Sequence, residues 1–239
     1  MKRFLAASAI IVSSFSAASA QDEVREDGPY FRIGGGVTFV SDLDQDFDRS
    51  PFIATCLAIG CNPDRRIVSP DTGFVAGAAL GFDYADGIRT ELEYRYAMNE
   101  VSNIRLFEGE SEAGDFGGVG PVSTADVDIN AHFVLSNFYF DFYNDSPITP
   151  FIGGGVGGAF VDVGLGERDA ALAYQGRAGF SLAIGGGFSA DLEYIYLRTN
   201  KLRYGPKPEE FTPTGPFALA VTGANYEASN VMLSLRKPF

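Results

Sequence analysis

The strongest constraint on the fold comes from residues 88–98, where side chains of two kinds alternate. One set is uncharged and mostly aromatic or aliphatic: Thr90, Leu92, Tyr94, Tyr96 and Met98. The positions between them are charged as far as residue 95: Arg89, Glu91, Glu93 and Arg95. A period of two is that of a β-strand, and it excludes an amphipathic helix, in which apolar residues recur every three or four positions.

The same period recurs along the chain. The predicted strands cover about 30–40, 72–84, 88–98, 125–143, 150–163, 173–184, 189–196 and 224–239. Their connections alternate in length: 41–71, 99–124, 163–172 and 199–222 are long or moderate, whereas 85–87, 144–149 and 185–187 are tight turns. We therefore predict an all-β fold, an eight-stranded antiparallel up-and-down meander.

The fourth predicted strand changes parity along its length. Val127 to Leu135 place apolar residues at odd positions, whereas Phe138, Phe140 and Phe142 occupy even ones. A β-bulge near 134–137 would reconcile the two halves, because one extra residue moves every later side chain to the other face.

The first twenty residues have the pattern of a secretory signal peptide. Lys2 and Arg3 precede an apolar run over 4–12, and a small-residue stretch ends at Ala20. Such a run is too short to span a bilayer as a helix and predicts cleavage after residue 20. We assign 1–20 to the signal peptide, 21–28 to a short periplasmic segment and 29–239 to the barrel domain.

Export and the alternating connection lengths together favour a membrane barrel over a soluble one. A signal peptide delivers the N-terminus to the periplasm, so every long connection would face outside and every short one the periplasm. Closure into a barrel follows because an open sheet edge cannot persist in hydrocarbon. The predicted location is the bacterial outer membrane.

The charge of the chain supports the assignment to an outer-membrane barrel and excludes nucleic-acid binding. Residues 21–239 carry 16 basic and 31 acidic side chains. So acidic a chain repels nucleic acid, which is excluded as a partner. Charges that alternate with lipid-facing residues must line the lumen, where we expect an ion-pair network of Arg89, Glu91, Glu93, Arg95, Asp141, Arg177, Asp191, Glu193 and Arg236. A narrow, water-lined path through the many interior glycines remains an alternative to a filled lumen.

Four segments resemble a known family. The last strand ends in an aromatic residue after alternating apolar ones: Val231, Leu233, Leu235 and Phe239. The other three segments are 136–142, 149–161 and 191–196. Together they resemble the OmpA-like and opacity-type outer-membrane barrels. The resemblance implies an eight-stranded barrel with mobile outer loops, often an antigen or adhesin, and a C-terminal signal that barrel-assembly machinery reads. No peptidoglycan-binding domain is expected after the last strand.

The two cysteines, Cys56 and Cys61, lie five positions apart in the first long connection. In an oxidising compartment a pair this close most often forms a local disulfide, which would brace the loop. A metal site would need further ligands, and His132 is the one histidine in the chain.

His132 is the candidate for catalysis. Some eight-stranded barrels are lipid A-modifying enzymes, and the deacylase family has a serine two residues after its histidine. Val134 stands at that position here, and Ser136 is a poor substitute, because a serine nucleophile needs its base within hydrogen-bond reach. We favour a polar lumen or loop-base histidine.

Two further patterns invite ligand sites. Asp42, Asp44, Asp46 and Asp48 recur at every second position, as in a calcium loop, but Phe47 and Ile53 replace the glycine and glutamate that such a loop needs. Weak divalent-cation binding or simple solvation are the other interpretations. Gly153, Gly155 and Gly158 satisfy G-x-G-x-x-G, yet no helix follows to hold a pyrophosphate. Tight barrel curvature and room for bulky lumen neighbours explain these glycines better.

These observations predict a non-enzymatic surface barrel without cofactor or resident metal. It would display loops for envelope integrity, adhesion or recognition as a surface antigen. Its expected partners are outer-membrane lipids and lipopolysaccharide, the barrel-assembly machinery and a host or surface ligand on the outer loops. A small-solute channel and a lipid A-modifying enzyme are the alternatives.

Overall fold

The computed structural model describes residues 28–47, 65–84, 86–108, 111–112, 128–163, 167–202 and 221–239. Within these ranges, no helix is long and apolar enough to cross a membrane. The strands are β1 (Gly28–Val40), β2 (Leu43–Phe47), β3 (Arg65–Pro70), β4 (Gly73–Tyr84), β5 (Ile88–Glu108), β6 (Ser111–Glu112), β7 (Asp128–Asp141), β8 (Ile148–Val163), β9 (Glu167–Gly185), β10 (Phe188–Thr199), β11 (Val221–Thr222) and β12 (Glu227–Pro238).

Eight of these strands close into an antiparallel barrel in the order β1, β4, β5, β7, β8, β9, β10 and β12. The ring closes where β1 pairs with β12 from Tyr30–Pro238 to Val40–Ala228. Apart from this closure, each barrel strand pairs with the barrel strand before and after it in sequence. The predicted eight-stranded up-and-down fold is therefore confirmed.

The two ends of the barrel differ. At one end, here called the turn end, the connections span only 85–87, 142–147 and 186–187. Gly87 and the run Gly185 to Gly187 have positive φ there, between 64° and 87°. This left-handed backbone is accessible to glycine at little cost and lets the chain reverse tightly. The opposite end, called the loop end, has the long connections after β1, β5 and β10.

The predicted bulge in β7 is wrong. The register of β7 with β5 runs without a shift from Asp128–Glu100 to Phe140–Ile88, and the pairing with β8 is equally regular. Odd-numbered residues face inward throughout, so Ile129, Phe133 and Leu135 are buried in the lumen. The parity of the apolar residues changes because the lumen becomes apolar towards the loop end. The register of the strand does not change.

Two barrel strands, β5 and β9, extend well beyond their predicted bounds. β5 continues to Glu108, and β8 and β9 leave only residues 164–166 between them. The second connection therefore starts at 109 instead of 99, and the third comprises only residues 164–166 instead of 163–172. β5 extends because its outer part finds a partner in β3, from Val101–Pro70 to Phe107–Arg65.

A second group of pairings stands above the loop end. β11 pairs with β2, β2 with β3, β3 with the outer part of β5, and β5 with β6. This group, here called the loop sheet, joins segments of the first, second and fourth long connections. Its strands fall inside regions that the sequence predicts as loops, and Asp44–Ile67 and Thr222–Asp46 are typical of its pairs.

The barrel wall separates two kinds of side chain. Outward positions carry large apolar residues that are 56–61% exposed, such as Leu80, Leu92, Phe180 and Leu233. Inward positions on the same strands carry arginine, glutamate or aspartate and are buried. An apolar exterior around a polar interior is the arrangement of a barrel whose outer surface contacts lipid.

Candidate functional site

The structure places all nine residues of the expected lumen network at buried, inward positions of the barrel. They come from β5, β7, β9, β10 and β12. Two charged residues absent from the expected set join them, Arg32 on β1 and Asp83 on β4. In the described residues the network thus comprises five arginines and six carboxylates: Arg32, Arg89, Arg95, Arg177, Arg236, Asp83, Glu91, Glu93, Asp141, Asp191 and Glu193.

At its centre, two arginines bridge three glutamates. Arg177 donates from Nη1 to Glu93 at 2.6 Å and from Nη2 to Glu193 at 2.7 Å. Arg32 donates to Glu193 at 2.6 Å and to Glu91 at 2.7 Å. Three of these four pairs join strands that are not neighbours in the wall, whereas Arg177–Glu193 joins the adjacent strands β9 and β10. Charge-assisted hydrogen bonds of this length are the strongest that side chains form.

Two further groups close the turn end of the lumen. Arg89 binds Asp141 through two parallel hydrogen bonds, Nε to Oδ2 at 2.7 Å and Nη2 to Oδ1 at 2.8 Å. Arg236 lies 3.4 Å from Asp191 and 3.3 Å from Asp83. The fork of a guanidinium fits a carboxylate in this bidentate way, which fixes both side chains.

Tyrosines complete the network. The Tyr139 hydroxyl donates to Glu91 at 2.7 Å, and the Tyr30 hydroxyl donates to the same carboxylate at 2.8 Å. The guanidinium of Arg89 also lies over the Tyr139 ring, 4.6 Å from its centroid. Sequence reasoning missed Arg32, Tyr30 and Tyr139. The parity of Phe31 and Ile33 could have identified the first two, because it turns residues 30 and 32 inward.

A layer of apolar residues covers the network towards the loop end. Its largest members, each no more than 1% exposed, are Ile129, Phe133, Leu135, Ile195 and Leu197. Above it, Leu43, Val68, Ile104, Leu202 and Tyr226 bring the loop sheet and the fourth connection into the same buried cluster. An ion crossing the described part of this lumen would have to leave water and pass a packed apolar layer, which is strongly unfavourable.

Glycines in β8 give the network its space. An added Cβ would lie 2.0 Å from Asn137 Oδ1 at Gly155 and 2.7 Å from the Tyr139 ring at Gly153. Gly158 also lies in β8, so the G-x-G-x-x-G pattern belongs to a strand without a following helix. The dinucleotide hypothesis is therefore wrong. The expectation of room for bulky lumen neighbours holds for Gly153 and Gly155, whereas Gly158 faces outward and its Cβ would meet only Phe160, at 3.7 Å.

Replacing Gly155 with valine is expected to lower the free energy of unfolding by about 1–3 kcal/mol, the usual cost of overpacking. Asn137 would lose its place between Glu93, to which it donates at 2.7 Å, and Gln175. Urea unfolding in lipid vesicles measures the change. Gly176→Ala is the matched control, because its Cβ would meet nothing within 4 Å. Equal losses in both variants would contradict the packing argument.

His132 lies on the outside of the barrel, so the expected position in the lumen is wrong; the residue lies four positions from the loop-end start of β7. With β7 free of a bulge, even-numbered residues face outward, and His132 is exposed between Tyr94 and Tyr96 of β5. Ser136 is on the same face four residues away, or about 13 Å along an extended strand. It is too distant to be activated by the imidazole.

The remaining candidates divide between described and undescribed residues. Asp42 and Asp44 are exposed, whereas Leu43 and Gln45, which alternate with them, are buried. Their alternation is that of strand β2, which does not provide the tight loop of a calcium site. Among the described residues, no three acidic, histidine or cysteine side chains are grouped to hold a metal. Asp48, Cys56, Cys61 and the expected signal peptide over 1–20 lie outside the described residues.

The C-terminal residues end the barrel wall. Val231, Leu233 and Leu235 face outward on β12, and the side chain of Phe239 is 76% exposed at the turn end. The backbone N–H of Phe239 donates to the carbonyl of Pro29 at 3.2 Å, which continues the β1–β12 pairing to the last residue. These residues present an exposed apolar row beside the closing strand.

Comparison with known proteins agrees with this architecture. A family profile described as "Surface antigen" matches residues 37–196. An outer membrane protein of Gluconacetobacter diazotrophicus is 27% identical over 171 residues, covering 64% of this chain but 41% of that protein. The chain thus spans about two fifths of the length of this relative.

Two further comparisons cover nearly the whole of the matched proteins. The outer membrane protein PagN of Salmonella typhimurium is 26% identical over 224 residues, covering 84% of this chain and 86% of PagN. The crystal structure of Neisserial surface protein A superposes with a TM-score of 0.55 at 14% identity, covering 90% of this chain and all of that one. At that identity the structural likeness supports the fold alone.

Proposed function

The chain belongs to the surface antigen family and is an outer-membrane surface barrel, and from this premise we propose that its role is to present the loop sheet to partners outside the cell. In this proposal the barrel is non-enzymatic. It anchors a recognition surface that serves adhesion or is recognised as an antigen. Envelope integrity is a role that the anchored barrel itself would supply.

The loop sheet is the observation that carries this proposal. Three of the long connections contribute strands to one hydrogen-bonded sheet, from Val221–Phe47 at one end to Phe107–Glu112 at the other. Its inner face packs on the apolar layer of the barrel, and its outer face exposes polar residues such as Asp44, Ser102 and Asn103. A rigid scaffold that positions variable loops is a common architecture for recognition.

Replacement of Val68 with asparagine tests the role of the loop sheet. Val68 is fully buried and pairs with both Leu43 and Ile104, so a buried amide there costs about 1–3 kcal/mol locally. Cells displaying the variant should lose adhesion to host surfaces and binding of antibodies raised against the folded protein. The barrel should remain, as judged by its resistance to unfolding in detergent during electrophoresis.

Asn103→Ser on the exposed face of the loop sheet is the matched control, because it leaves the buried contacts in place. It should keep the wild-type signal with polyclonal antibodies. If Val68→Asn cells bound antibodies and host surfaces as well as wild-type cells, the ordered loop sheet would have no part in recognition, and the proposal would fail.

The two alternative functions have less support. A channel would need a continuous wet path, whereas in the described lumen Phe133 and Leu135 lie packed above the ion pairs. A lipid A-modifying enzyme would need a nucleophile near His132, and the outward neighbours of this residue on β5 are Tyr94 and Tyr96. Both arrangements favour a filled, non-catalytic barrel.

Several finer assignments belong to the same proposal. Within outer-membrane barrels we place the chain among the OmpA-like and opacity-type proteins, on the sequence segments described above. The N-terminal residues 1–20 would be a cleaved signal peptide, 21–28 a periplasmic segment and 29–239 the barrel. Cys56 and Cys61 would form a disulfide bracing the first connection. The row from Val231 to Phe239 would be the signal for barrel-assembly machinery, and lipopolysaccharide would surround the wall.

A further inference from the structure

A polar cluster interrupts the apolar exterior of the barrel. The Tyr94 hydroxyl and His132 Nδ1 are 2.8 Å apart, and the Tyr96 hydroxyl donates to Asn130 Oδ1 at 2.5 Å. The imidazole also packs against the Tyr96 ring, with 4.9 Å between centroids. All four residues face outward on the adjacent strands β5 and β7. Polar side chains on a lipid-facing wall are costly unless their hydrogen bonds are satisfied.

The register fixes the depth of this cluster. In the row of His132 the neighbours on β5 and β8 are Tyr96 and Phe160, and in the next row towards the loop end Asn130 lies between Met98 and Asp162. Asp162 is the first charged residue in this direction, and one row further Asp128 pairs with Glu100. The cluster therefore lies at the edge of the charged rim, at the boundary between hydrocarbon and the headgroups of the outer leaflet.

Counting protons shows that the cluster retains unused donors. A neutral imidazole and a phenol together carry two polar protons, and their mutual hydrogen bond uses one of them in either tautomer. One donor of the Tyr94–His132 pair therefore remains for a third group. Asn130 accepts from Tyr96 through Oδ1, so its NH2 group adds donors of its own. Asn130 and His132 are two residues apart on β7, roughly 7 Å.

We propose that these donors bind a membrane lipid at its acyl-linkage carbonyls. A lipid offers two kinds of acceptor, the phosphate and the acyl-linkage carbonyls, and the acidic rim favours the carbonyls. Glu100 and Asp128 lie on the loop-end side of the cluster, so a phosphate would meet like charge there. Ester or amide carbonyls are uncharged acceptors, and they lie just below the phosphates, at the depth of His132. The site is independent of the loop sheet and of the surface role proposed for it.

The single histidine of the chain makes a direct test feasible. Protein labelled with ¹⁵N in histidine gives one imidazole spectrum by NMR. It would be recorded in vesicles of a diester phosphatidylcholine and in vesicles of the diether analogue, which lacks carbonyls. In ester lipid we expect one imidazole N–H to exchange with water roughly two- to tenfold more slowly than in ether lipid, as for one added hydrogen bond. Lipopolysaccharide, which carries ester and amide linkages, should behave as the diester does.

Two variants make the result specific to the cluster. Asn130→Leu removes the neighbouring donors and should reduce the ester-dependent protection at His132. Tyr194→Phe removes an outward hydroxyl from the separate Tyr194–Ser229 pair, 2.9 Å apart on β10 and β12, and should leave it unchanged. Identical imidazole exchange in ester and ether lipid would overturn the proposal. Protection of the imidazole N–H in both lipids would indicate contact with the phosphate headgroup that they share, and it would overturn the proposal as well.

Discussion

Replacing Arg177 with methionine is expected to destabilise the barrel by about 3–5 kcal/mol, because removing one partner of a buried ion pair leaves an uncompensated charge. Arg177 is buried and binds two carboxylates, Glu93 at 2.6 Å and Glu193 at 2.7 Å. Methionine fills a similar volume, so the loss should come from the charge and its hydrogen bonds rather than from a cavity.

This loss of stability can be measured by urea unfolding in vesicles, monitored by tyrosine fluorescence or circular dichroism. The chain contains 11 tyrosines and no tryptophan, which makes tyrosine the intrinsic reporter. The double variant Arg177→Met, Glu193→Gln removes one charge of each sign and should recover a large part of the stability. If the single variant were as stable as the wild type, the network would be incidental to the fold.

Replacing Leu92 with arginine should also destabilise strongly, by about 2–4 kcal/mol, the cost of a cation on the lipid face near the bilayer midplane. Leu92 faces outward, is 61% exposed in the isolated barrel and lies between Leu80 and Ser136 of the neighbouring strands. Its position is central in the outward row of β5, so a long cationic side chain cannot easily reach either surface.

Met98→Arg is the matched control on the same strand and the same face, three rows closer to the charged rim. There the cost should fall to about 0–1 kcal/mol, as expected near the interface. Unfolding of both variants in vesicles of the same lipid gives the difference directly. Equal costs at both positions would contradict the depth assigned to the wall, and with it the placement of the His132 cluster.

Much of the barrel follows from the sequence because the wall has one simple rule. Each lipid-facing residue must be apolar, and each lumen residue must fit a narrow interior. The neighbours Leu92 and Glu93 therefore indicate which face of β5 points to lipid and which points to the lumen. The rule assumes a uniformly polar lumen, and β7 breaks that assumption. Phe133 and Leu135 are apolar and face inward. From the sequence pattern alone, such residues look as if they faced lipid, which suggests a bulge that the strand does not have.

The loop sheet could not be predicted in the same way. Its strands are as short as two residues, and its pairs join distant parts of the chain, such as Thr222 with Asp46. Such short strands have no recognisable alternation in the sequence, and their pairing depends on tertiary contacts between distant segments. The particular partner of Arg32 and Tyr139 could not be predicted either, because Glu91 lies 59 and 48 positions away from them, across the lumen.

The ion pairs of the lumen also constrain how the protein enters a membrane. Their charged residues come from β1, β4, β5, β7, β9, β10 and β12, that is, from every wall strand except β8. The hairpin of β4 and β5, inserted alone, would bring Glu91 and Glu93 into hydrocarbon without Arg32 and Arg177. Stepwise insertion of single hairpins would therefore meet a high electrostatic barrier, so the wall must curl round its charges before or while it crosses the bilayer.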